Sequence, residues 1–267
     1  MDWGYKAMLT MVSVALVLLV AEGFGRRLAG LIAGLPIITA PALLWVASEH
    51  GAAFAASSAV GSITACGLMA VFAFSYERIS RRRGPAASLA VSLGAAAVVA
   101  VPTATFVDNP LKAILFALLC GVLALSLLPV SRPSALPKPR RARAGIVYTA
   151  AAAGLVSLGA ATVASAFGPF WAGVVAALPI ISAAALANQH LTATHGDIQR
   201  FLRGYVAGLS GKALFALIFA ALVVQLSPPI ALVIAMCFGL ATSFGTVRAL
   251  KSIEQYSIVS SSQVPSQ

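Results

Sequence analysis

The chain has 267 residues, 60% of them hydrophobic and only 9% charged, with a mean hydropathy of +0.95. Soluble domains carry about 25% charged and about 45–50% apolar residues, and a wetted shell on a protein of this size could not hide so much hydrocarbon. A soluble enzyme, a disordered chain and a disulfide scaffold are therefore excluded. The net charge of +11 and the pI near 10.3 come from 18 Lys and Arg residues. These sit in short clusters between apolar stretches, as topology-setting loops do, so no nucleic-acid partner is expected.

A bilayer core takes about 20 predominantly apolar residues per helix. Nine such stretches follow one another at 7–22, 28–48, 52–75, 86–107, 111–130, 145–166, 170–188, 202–226 and 229–247. The expectation is an all-α, polytopic membrane helix bundle of about nine transmembrane helices. Short connectors carry the breakers Gly23, Gly25, Gly84-Pro85, Asn109-Pro110, Gly168-Pro169 and Ser227-Pro228-Pro229. Fifteen basic residues fall on alternate connectors, after spans one, three, five, seven and nine, against Lys6 and Lys112 on the opposite side. That imbalance places the N-terminus outside and the C-terminus in the cytoplasm. Cleavage of 7–22 as a leader would put Arg26 and Arg27 outside and invert every later loop, so the stretch is kept as a span. Cys66, Cys120 and Cys237 lie in apolar stretches with no CxxC spacing and read as packing residues.

Residues 24–40, FGRRLAGLIAGLPIITA, and 167–183, FGPFWAGVVAALPIISA, are identical at ten of seventeen positions with a constant offset of 143. The likeness continues loosely through His50-Gly51 and His195-Gly196, and from the Gly61 region to the one near Leu209. Each unit then has four spans, and the fifth span between them turns the second unit over. The expected organisation is an N-terminal four-helix repeat over 1–108, a linker helix and basic cytoplasmic loop over 109–144, a C-terminal four-helix repeat over 145–251, and a disordered polar tail over 252–267.

The matched segments centre on Pro36, Ile37 and Thr39 and on Pro179, Ile180 and Ser182. Each proline lies about nine residues into its span, near mid-bilayer at about 1.5 Å per residue. A proline there has no N–H and clashes with the preceding turn, which loosens the carbonyls of Ile32 and Val175. Irregular backbone at membrane depth survives only under protein or in a wet cavity, and secondary transporters place their sites at such broken helices. Lys212 sits inside span eight, where a charge costs a few kcal/mol. No Asp or Glu is expected inside any span, which leaves this lysine without an ion-pair partner and argues against carboxylate-based proton or sodium sites. The structural alternatives are a pair of kinked packing helices and a snorkelling lysine. Gly30, Gly34, Gly204 and Gly208 have small-xxx-small spacing for close helix approach.

Glu49 and His50 mark the outer mouth of the first repeat. His190 and His195, with Asp197, mark the cytoplasmic connector, where they are candidate gating residues or plain loop residues. Trp3, Tyr5, Trp45, Tyr76, Phe170 and Trp171 read as interfacial anchors. The sequence has no nucleotide loop, HExxH helix, GxSxG elbow or Cys/His cluster, so neither enzymatic activity nor a cofactor or metal is expected.

Ala29-Gly30-Leu31, then Pro36, then Glu49-x-Gly51 resemble the pattern of the small four-span GlpM-like bacterial inner-membrane proteins. The likeness covers about one half of the chain and extends more faintly to the other, where Thr194 stands in place of Glu49. The resemblance implies a bacterial inner-membrane location and a four-span unit, here fused in tandem. The functional expectation is a secondary transporter or permease, working by alternating access on a small anionic or zwitterionic solute. The alternative is a non-transporting accessory protein of envelope biosynthesis. A lipid-carrier flippase or membrane enzyme would need a polar cleft open sideways to lipid. The lipid bilayer is the expected surrounding, and a homo-oligomer is compatible with the sequence.

Overall fold

The computed structural model describes residues 31–131 and 166–262, with isolated positions at 8, 11, 12, 15, 162 and 163, and without the side chains of 180, 181, 184, 188, 192 and 253–262. The expected spans 7–22 and 145–166 therefore lie almost wholly outside the described residues. Within them all regular structure is helical: α1 (Thr39–His50), α2 (Ala52–Ser80), α3 (Pro85–Phe106), α4 (Pro110–Leu127), α5 (Pro169–Ala176), α6 (Ile180–Thr192), α7 (His195–Leu222) and α8 (Pro228–Ser262). A short helical piece, 31–34, precedes α1.

Six of these segments are long and apolar enough to cross a membrane, Leu31–His50 being counted as one. They match six of the expected spans. The seventh that falls among the described residues, 170–188, is divided into α5 and α6. Breakers named from sequence sit where helices begin. Pro85, Pro110 and Pro169 occupy first-turn positions, where a missing N–H costs nothing. Gly51 and Gly168 adopt φ of 88° and 84°, a region that glycine enters without strain.

Two long helices, α2 and α7, form the centre. In the most apolar window of α2, 83% of residues are buried, against 17% in α3 and in α4. Lipid tails are as apolar as leucine, so helices in a bilayer sort by how closely backbones can approach, not by hydrophobicity. The sequence of α2 is rich in small and hydroxyl residues, among them Ser58, Gly61, Ser62, Thr64 and Gly67, all buried. By contrast α4 presents Leu111, Leu115, Leu118 and Leu119 outward. Gln199 Nε2 reaches Glu77 Oε1 at 2.9 Å and Lys212 Nζ reaches Met69 Sδ at 3.7 Å, so α7 runs antiparallel to α2.

Glycine decides the closest crossings. A Cβ on Gly173 of α5 would lie 1.7 Å from the Ser58 carbonyl oxygen of α2, and one on Gly61 of α2 would lie 2.0 Å from the carbonyl oxygen of Phe170. On the other side a Cβ on Gly34 would lie 2.6 Å from Tyr205 O, and one on Gly208 would lie 2.7 Å from Leu31 O. Of the small-xxx-small positions named from sequence, Gly34 and Gly208 thus face each other, while Gly30 lies outside the described residues. In this way α5 is pressed on α2, and the piece 31–34 is pressed on α7.

Candidate functional site

Both proline segments are full breaks rather than kinks. Residues 35–38 separate 31–34 from α1, and 177–179 separate α5 from α6. The same hydrogen bonds occur at each. Leu35 N donates to Ile32 O at 3.1 Å and Ala40 N to Pro36 O at 2.8 Å; Leu178 N donates to Val175 O at 3.1 Å and Ala183 N to Pro179 O at 2.8 Å. The carbonyls of Ile32 and Val175, expected to be loosened, are thus drawn into tighter turns three residues long. Ile37 N closes a still shorter turn to Leu35 O at 2.9 Å. Pro36 is buried and Pro179 half-buried. Ile180 opens α6, and its side chain lies outside the described residues.

At the second break three carbonyls that end α5 accept from side chains on three other helices. Ser62 Oγ of α2 donates to Gly173 O at 3.0 Å, and Thr39 Oγ1 of α1 donates to Ala176 O at 3.1 Å. Lys212 Nζ of α7 donates to Ala177 O at 3.2 Å. All three donors are buried. A helix end buried in this way needs such partners, because unpaired carbonyls in a dry interior are costly. Ser182 behaves differently from its sequence counterpart Thr39: its hydroxyl turns back to Pro179 O at 2.9 Å.

Lys212 is only 6% exposed, which rules out snorkelling. Its three N–H donors meet one carbonyl and one weakly accepting thioether. Beside it lies a space of about 10 Å³ lined by residues of both breaks, Leu35, Ile38, Leu178 and Pro179, and by Met69 and Tyr205. That volume matches a single water. The buried Tyr205 hydroxyl lies next to Ser182. Pro36, Thr39, Pro179, Ser182 and Lys212 are therefore all at or next to the two breaks. Sequence reasoning missed Ser62, Met69 and Tyr205, which carry no signal of their own in an apolar helix.

The candidate gating residues fall at two separate places. Glu49 and His50 are exposed at the end of α1, where the His50 ring stacks on Phe54 at 4.6 Å. His190 Nδ1 lies 3.2 Å from Tyr76 Oη, and His195 Nε2 lies 3.5 Å from Glu77 Oε1. With Ser80 and Arg81 these histidines line a cavity of about 390 Å³ at the end where α2 stops and α7 starts.

Four expectations need correction here. Acidic residues do enter the helices: Glu77 in α2 and Asp197 in α7 are fully buried. Glu77 Oε1 accepts from Arg81 Nε at 3.0 Å and from Gln199, while buried Oε2 has no hydrogen bond among the described residues. The stretch from His190 to Asp197 is not a plain loop, because Thr194 and Asp197 form a capping box that starts α7; the Thr-x-x-Asp spacing is a readable signal for it. Arg203, expected in a connector, is buried in α7 and donates to Leu125 O at 2.8 Å and Leu128 O at 2.5 Å, closing the end of α4. Trp45 and Tyr76 are buried among the helices and do not face outward as anchors.

Taken with six long apolar helices, these features define a helical, multi-pass membrane protein. No protein-family model, no curated protein and no solved structure matches the chain.

Proposed function

We propose that this protein is a small secondary transporter or permease that moves an anionic or zwitterionic solute by alternating access between two inverted four-helix repeats. The observation that carries this reading is the pair of breaks, bonded alike and 143 positions apart, that converge on buried Lys212. The antiparallel course of α2 and α7 is what an inverted duplication requires. The bonds that close the second break come from α1, α2 and α7, hence from both repeats, so rocking one repeat against the other has to exchange them. Few-bond elements of this kind are the two-state parts of alternating-access transporters.

On this reading His190, His195 and Glu77 form the cytoplasmic gate, with Glu49 and His50 at the outer mouth. The bacterial inner-membrane location, the outside N-terminus and the fused GlpM-like units belong to the same proposal. The orientation is supported by the charge imbalance and by the gathering of Arg78, Arg81, Arg82 and Arg83 at the end where α7 begins.

The test is counterflow into proteoliposomes with a panel of labelled short carboxylates, phosphate esters and amino acids. Native protein is expected to concentrate at least one class, and Lys212→Ala to cut that uptake about tenfold or more, the value of one hydrogen bond to a charged group. Unchanged uptake in Lys212→Ala removes the lysine from the site, and no uptake by native protein overturns transport of such solutes.

A further inference from the structure

The small space at Lys212 has a larger neighbour. Met69, Leu178 and Pro179 form one of its walls, and the same three residues line a second, much larger cavity of about 490 Å³ between α2, α3 and α5. Every side chain lining that cavity is apolar, from Phe72 and Ala97 to Trp171. Its volume is within the range of about 300–1,000 Å³ usual for small-molecule sites. It lies against α3, the outward-facing helix, and its rim carries the exposed side chains of Leu93, Val101 and Leu178.

Two environments of opposite chemistry therefore adjoin across three shared residues. On one side are a buried ammonium with donors to spare and a buried phenol hydroxyl beside Ser182. On the other is a chamber lined wholly by apolar side chains. A hydrated solute would leave the chamber unused, and a plain hydrocarbon would leave the three donors of the ammonium with only one carbonyl and one weakly accepting thioether. One molecule satisfies both only if it has a charged head and a tail.

We propose that the substrate is an anionic amphiphile, its charged head taken by Lys212 and Tyr205 and its alkyl chain by the apolar cavity between α2, α3 and α5. The proposal rests on the transporter reading and names the substrate class of that site. The shared chemistry is an anionic head on an alkyl chain, whether a free fatty acid or a bilayer phospholipid.

Trp171, on the cavity wall, gives the readout. Full-length protein in phosphatidylcholine liposomes is titrated with dibromostearate, and in a second arm with dibromo-phosphatidylglycerol, while tryptophan quenching is followed against a Trp171→Phe control. The expected result is a saturable component that is missing in Trp171→Phe and lost in Ala97→Phe, which fills the chamber. Lys212→Met should shift its midpoint at least about tenfold, as expected for a lost hydrogen bond to a charged group. The arm that saturates identifies the source, free acid or phospholipid. Quenching that only tracks bulk bromine content, equal in Lys212→Met and Ala97→Phe, overturns the proposal.

The two readings fail separately. Lys212-dependent uptake of a chain-less carboxylate without saturable quenching overturns the amphiphile and leaves transport standing. Saturable quenching without uptake of any labelled substrate, dibromostearate included, overturns transport and leaves the amphiphile site standing.

Discussion

The hydroxyl of Thr39 donates to the carbonyl of Ala176 at 3.1 Å, across 137 positions of sequence and within a fully buried environment. It joins the start of α1, just after the first break, to the last turn before the second.

Thr39→Val keeps the shape and removes the donor, leaving the carbonyl of Ala176 without this partner. Interhelical hydrogen bonds in membranes are worth about 0.6 kcal/mol on average and up to about 1.7 kcal/mol. A loss of about 1 kcal/mol is therefore expected in thermal unfolding in detergent, and Thr39→Ser should recover most of it. Equal loss in the serine and valine variants would mean that packing of the methyl, not the hydrogen bond, does the joining.

Lys212→Met separates stability from function. Burying an ammonium costs several kcal/mol, whereas a hydrogen bond to a charged group returns about 1.5–3 kcal/mol. Desolvation wins, so the melting temperature should stay or rise while binding and uptake fall. A variant that loses stability as well would show that the lysine is chiefly a structural cap on Ala177.

Gly173→Ala drives a methyl into the backbone of Ser58, which has no flexible atom to give way. Overpacking costs about 1–3 kcal/mol where neighbours can shift, and the upper end or more is expected here. Gly94→Ala and Gly121→Ala meet nothing within 4 Å and should change stability by less than about 1 kcal/mol, in line with the helix preference for alanine. Comparable melting curves for all three would contradict the close crossing of α5 on α2.

Membrane orientation is checked by labelling. Cys66, Cys120 and Cys237 are first replaced, since all three are free thiols. A cysteine at Asp108, between α3 and α4, should then react with an impermeant maleimide on intact cells. One at Arg82, between α2 and α3, should react only after permeabilisation. The reverse pattern would turn the whole bundle over, and labelling of both from outside would remove the span between them.

Much of the bundle was legible in the sequence. Composition, the apolar stretches and the prolines at helix starts already specify six spans that the described residues share. The offset of 143 between Leu35-Pro36 and Leu178-Pro179 located both breaks. What each helix faces was not legible. In water an apolar stripe marks the buried side, but in lipid every face is apolar, so Leu-rich α4 and Ser/Gly-rich α2 differ only by how near a neighbour's backbone can come. Glu77 lies beyond the apolar stretch 52–75, which fades near Ser75, though the helix continues to Ser80.

The sequence by itself determined the solvent, since no polar shell can be made from 9% charged residues, and it determined where the backbone must break, since proline has no N–H to give. Only the tertiary structure decided that Ser62, Thr39 and Lys212, drawn from three helices, close the same broken end. A freed carbonyl at membrane depth accepts from whatever donor the fold brings within reach, and reach depends on how helices cross, not on the residues that flank the break.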